Sequence, residues 1–96
     1  MKSSMLVLGM LGMLASAAGH AQSGAEVLKT KGCLNCHETD KKKVGPAYKD
    51  VAAKYRDDKG AEPRLIAKLK EGKDHPKIAA SDAELKAAVD HVLSMK

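Results

Sequence analysis

The stretch Lys31-Gly32-Cys33-Leu34-Asn35-Cys36-His37 holds the only two cysteines of the 96-residue chain, with a histidine directly after the second. Two thiols at this spacing can each add across a vinyl group of one haem, while the adjacent imidazole reaches the iron from the same face. Cys33 and Cys36 are therefore read as the covalent haem attachment and His37 as the proximal axial ligand of the iron. Three other chemistries use such a pair. A redox dithiol of the thioredoxin kind belongs in a βαβ setting, and the pattern around this motif is helical. A zinc site wants a second ligand pair, for which no further Cys exists. A Cys33–Cys36 disulfide would close a very small loop and stabilise little.

Toward the N-terminus, Lys2 supplies a positive charge, Met5 to Leu14 form an apolar run, and small residues fill Ala15 to Gly19. That order predicts a secretory signal peptide over residues 1–21, cut after Ala21, with Ala18 as the second choice. The apolar run falls short of the ~20 residues that a membrane-spanning helix needs. Residues 22–96 then form a single domain, with no repeat or low-complexity linker inside it. Four of the five methionines leave with the leader, so Met95 is the one that remains. The chain has no Trp or Phe, and its only aromatic side chains are Tyr48 and Tyr55. A domain this small seldom builds a sufficient core from such material without a metal, disulfides or a covalent cofactor, and haem would fill that gap.

The domain is predicted to be all-α. Ser23 caps a first helix that carries Ala25, Val27 and Leu28 inward and ends at Gly32. After Gly45-Pro46, the residues Tyr48, Val51, Ala52 and Tyr55 fall on one helical face. Pro63 suits a first helical position, and a third helix carries Leu65, Ile66 and Leu69 until Gly72 stops it. Ser81 and Glu84 have capping-box spacing, beyond which Leu85, Val89, Val92 and Leu93 mark a C-terminal helix. No segment alternates as a strand would.

The cysteine motif, followed by Val44-Gly45-Pro46-Ala47-Tyr48-Lys49-Asp50-Val51-Ala52, resembles the small bacterial class I cytochromes c. Ser81-Asp82-Ala83-Glu84-Leu85 and Val92-Leu93-Ser94 are similar to the last helix of that family. The resemblance spans nearly all of residues 22–96. It implies the class I cytochrome c fold, about four short helices around one covalently bound haem c. It also implies that the Pro46 carbonyl accepts a hydrogen bond from the proximal imidazole and so orients His37.

One departure concerns the other side of the iron. Members of the family supply a Met from a loop just before the last helix. Here that loop is shortened to Gly72-Lys73-Asp74-His75-Pro76-Lys77-Ile78-Ala79-Ala80, and the alignment from Ser81-Asp82 puts His75 in the place of the Met. His75 is accordingly the expected distal axial ligand, set against an open five-coordinate iron. Met95 lies at the far end of the last helix, and His91 lies within that helix beside its apolar stripe, where it is expected to pack.

A second imidazole in place of a thioether favours ferric iron and lowers the reduction potential. The resemblance implies a periplasmic one-electron carrier with no enzymatic activity. The alternatives are a haem-based ligand sensor and the haem subunit of a larger oxidoreductase. Without Lys2 there are sixteen basic and twelve acidic side chains, a net charge of +4, densest at Lys41-Lys42-Lys43. Such a surface suits redox partners with acidic docking faces. Export and the lack of stacking aromatics among the lysines argue against nucleic acid, and after cleavage no membrane span remains.

Overall fold

The computed structural model describes residues 23–96. The expected leader, residues 1–21, lies outside the described residues. Four α-helices follow in order, α1 (Gly24–Thr30), α2 (Tyr48–Lys54), α3 (Ala61–Glu71) and α4 (Asp82–Leu93), with a 3₁₀ turn at Cys33–Asn35. Among the described residues there is no strand, and no helix is long and apolar enough to cross a membrane.

Helix α1 begins where Ser23 accepts a hydrogen bond from the Glu26 amide at 3.2 Å, the N-cap that a serine at this position favours. It ends as Gly32 turns left-handed, at φ 74°. The inward face differs from the expected one. Ala25 is exposed, whereas Val27 and Leu28 are buried. Gly24 explains the difference, because a Cβ there would collide with the Ala87 carbonyl and with Cβ of His91 on α4. The contacting stripe is therefore Gly24, Val27 and Leu28, at i, i+3 and i+4, and Ala25 falls beside it. The same contact puts half-buried His91 at the crossing of α1 and α4, the packing role expected of it.

Helix α3 starts at Ala61, two residues earlier than expected from Pro63. The first-turn amides have no partner inside a helix, so proline is tolerated there as well as at the first position. Asp58 prepares the start, accepting from the Gly60 amide at 3.0 Å and pairing with Arg64. Leu65, Ile66 and Leu69 are only half-buried, and Ala61 alone in this helix is fully enclosed.

Helix α4 opens on the expected capping box, in which Ser81 and Glu84 each bond the other's amide. It packs across the other three helices. Leu85, Ala88, Val89 and Val92 are its buried residues, and Val27, Leu28 and Tyr48 join Ala88 and Val92 in one core cluster. Met95 packs against that cluster.

Candidate functional site

The cysteine motif occupies the tight turn between α1 and the long segment leading to α2. The amide of Asn35 donates to the Gly32 carbonyl at 3.1 Å, and the amides of Cys36 and His37 both donate to the Cys33 carbonyl, at 3.2 and 3.1 Å. This winding puts two thiols and one imidazole on a short arc. The cysteines are not bonded to each other. Burial, with a smaller push from Cys36, raises the Cys33 thiol above its ordinary pKa.

The following segment folds back onto the motif. The Gly45 amide donates to the Cys36 carbonyl at 2.7 Å. The first amides of α2 find backbone acceptors in place of a side-chain cap, Tyr48 donating to Glu38 at 2.9 Å and Lys49 to Thr39 at 3.1 Å. These bonds bring three groups against His37. The ring donates Nδ1–H to the Pro46 carbonyl at 2.7 Å. The Tyr48 ring stacks at 5.0 Å between centroids and 19° between planes. Bare Gly45 lies so close that a Cβ there would overlap the imidazole.

Gly45 was not picked out as a site residue by the sequence, where it reads only as a helix breaker. Its position immediately before a motif-facing proline was the available signal. Tyr48 likewise reads as one member of an apolar stripe. Its side chain is buried, yet its hydroxyl finds no hydrogen-bond partner among the described residues. Burial, reinforced by the neighbouring cysteines, pushes that phenol far above its ordinary pKa.

On the other side stands the loop between α3 and α4. Gly72 closes α3 in the left-handed region at φ 70°, the Lys73 amide returns to the Lys68 carbonyl, and the Ile78 amide bonds the Leu69 carbonyl at 2.9 Å. This small closed loop carries His75 to within 6.1 Å of His37, ring centre to ring centre, with planes 9° apart. The His75 ring donates its Nδ1–H to the Pro76 carbonyl at 2.7 Å. In both rings the Nδ1 nitrogen carries the proton, since a carbonyl can only accept, and Nε2 is left as the basic nitrogen.

These residues fit a haem. A metal sits about 2 Å from an imidazole nitrogen, so two rings serving one ion have centres about 6 Å apart. Two near-parallel imidazoles at this separation, the thiols of Cys33 and Cys36 beside one of them, and the buried Tyr48 hydroxyl, without a partner among the described residues, suit a haem.

The fold and the site define a small class I monohaem c-type cytochrome. The profile of the cytochrome c family matches residues 21–96, and the chain belongs to that family, whose members carry one covalently attached haem c. Among its relatives, cytochrome c-551 of Pseudomonas aeruginosa is 39% identical over 100 residues, spanning 97% of this chain and 96% of its own. Cytochrome c-552 of Nitrosomonas europaea is 40% identical over 87 residues, covering 82% of this chain and 84% of that one. The crystal structure of the wild-type Nitrosomonas protein superposes with a TM-score of 0.67 at 39% identity, over 75% of this chain and 99% of that one. The class 1 cytochrome MtoD of Sideroxydans lithotrophicus gives 0.65 at 33% identity, over 75% and 91% of the two chains.

Proposed function

We propose that this cytochrome is a periplasmic one-electron carrier with a bis-histidine iron. In it Cys33 and Cys36 form the thioether links, His37 is the proximal ligand oriented by Pro46, and His75 is the distal ligand. The bound haem supplies a reversible ferric/ferrous couple at its iron. The observation that carries the reading is the pairing of His37 and His75 at 6.1 Å with near-parallel planes, each Nδ1 engaged by a carbonyl. Met95 is occupied against the core cluster formed by Val27, Leu28, Tyr48, Ala88 and Val92.

The chain's own groups set the electronics. Both carbonyls increase the basicity of the imidazoles they hold, and two such nitrogen ligands stabilise ferric iron relative to a thioether. The potential is therefore lower than in Met-ligated relatives. Lys41, Lys42 and Lys43 are exposed beside the motif, together with Leu34 and Val44. A basic rim around exposed apolar side chains suits brief, salt-sensitive docking to acidic redox partners. Export to the periplasm rests on the signal-like residues 1–21. Electron transfer of this kind needs no substrate pocket, and we read no enzymatic role.

The test is the optical and paramagnetic-resonance spectrum of the ferric protein beside that of His75→Ala. The wild type should be low-spin with two imidazoles, and the variant should turn high-spin and bind carbon monoxide rapidly once reduced. A Met-to-iron charge-transfer band in the wild type, or an unchanged low-spin variant, would remove His75 from the iron. Fast carbon monoxide binding by the wild type itself would favour a sensor over a carrier.

A further inference from the structure

The two histidines reach their carbonyls by different routes. His37 bonds a carbonyl nine residues further along the chain, held by the fold of the intervening segment. His75 bonds the carbonyl of the residue that follows it. For a ring to meet the next residue's carbonyl, the backbone must turn that oxygen back over the side chain.

The local sequence provides for this. Proline fixes its own φ near −65° and keeps the preceding residue out of the helical region. Just before it, Asp74 takes a left-handed conformation at φ 55°, unusual for a residue with a side chain and best tolerated by Asp and Asn. The Ile78 amide, bound to the Leu69 carbonyl at 2.9 Å, ties the far end of the turn to α3. Backbone on both sides thus fixes where the half-buried His75 ring stands.

We propose that Pro76 is a positioning residue for the distal ligand, a reading that rests on His75 being that ligand. Its carbonyl holds the His75 Nδ1–H, commits the ring to the tautomer with a basic Nε2, and fixes the ring in the place where it faces His37 at 6.1 Å between centres. Two consequences follow from one hydrogen bond. The distal imidazole gains anionic character, which stabilises ferric iron further. The ring also leaves the iron slowly, which closes the sixth position to added ligands.

The experiment uses the haem-loaded protein and a Pro76→Gly variant, which keeps the carbonyl but frees the backbone that aims it. In ¹⁵N-labelled ferrous protein the His75 Nδ1 proton should exchange slowly with solvent. In Pro76→Gly it should exchange about tenfold faster or more, while the His37 Nδ1 proton, held by Pro46, stays as it was. The potential should rise, and cyanide should bind the ferric variant about tenfold faster, with the bis-imidazole spectrum retained before cyanide is added.

A wild-type ferric spectrum without two imidazoles would overturn the assignment of His75, and the role of Pro76 with it. A bis-imidazole wild type whose His75 Nδ1 proton exchanges freely would overturn the role of Pro76 alone. So would a variant matching the wild type in exchange, potential and cyanide binding. If Pro76→Gly fails to retain haem, Pro76→Ala serves the same comparison, and the wild-type exchange measurement stands without either.

Discussion

Gly45 has no side chain because the His37 ring occupies the space where one would be. Replacing it with Ala forces the imidazole, the Pro46 carbonyl or the 38–47 segment to move, and overpacking of this kind costs about 1–3 kcal/mol. Gly45→Ala should lower the unfolding free energy by about 1–3 kcal/mol and alter the ferric ligand-field spectrum, measured by chemical unfolding and paramagnetic resonance. An unchanged spectrum would mean that the ring has room to spare. Cys33, Cys36 and His37 are adjacent in sequence, so their chemistry can be recognised from residue type and spacing. Gly45 and Tyr48 act on His37 only through contacts made once the chain has turned back on itself. Tyr48 shows the point most directly, since helical periodicity makes it an inward-facing residue but cannot reveal that its ring lies against an imidazole.

Helix boundaries were mostly visible because caps are local. Ser81 and Glu84 sit three residues apart, and the reciprocal bonds they form, at 3.0 and 3.1 Å, are those the spacing predicts. Ser81→Ala should cost about 1 kcal/mol of stability, measurable in urea. The bond from the Ser81 amide, then that from its hydroxyl, then the nearby Lys31 ammonium hold the Glu84 carboxyl below its ordinary pKa. A group depressed in the folded state stabilises at pH above its unfolded value, about 4.3, and loses that contribution as pH falls through the lower folded value. The start of α4 should therefore loosen in acid. A pH titration of the Glu84 carboxyl by NMR, with Ser81→Ala shifting its midpoint upward, checks the sign. The misjudged features belong to longer range. Ala25 follows a plausible stripe on a two-turn helix, but the close approach of Gly24 to α4 rotates the contact face onto Val27 and Leu28.

The core is small. Among the described residues ten apolar ones are buried, four of them alanines, and Tyr48 is the only aromatic of the ten. A domain of this size with so little apolar mass seldom holds its fold without a staple. Chemical removal of the haem should therefore abolish most of the helical circular dichroism and leave a chain with no cooperative thermal transition. Retained helicity with a sharp transition would show that the four helices suffice. The ion pairs do not alter this expectation. Those joining helices among the described residues, Lys31 to Glu84 at 3.6 Å, Lys70 to Asp82 at 2.8 Å and Lys86 to Glu62 at 3.5 Å, lie at the solvent boundary, where such pairs contribute about 1 kcal/mol or less.

The haem motif and the helical class were legible along the chain from residue type and short spacing, whereas His75 entered as a candidate through the resemblance, which aligns it with the Met of the family. The Pro46 carbonyl on His37 was expected from the resemblance. The separation of 6.1 Å between rings thirty-eight residues apart, the Pro76 carbonyl on His75 and the bare backbone of Gly45 against His37 were not legible. Local propensity and periodicity carry no information about such distances. They are set when α4 gathers the other helices onto one core and the 72–80 loop closes against α3.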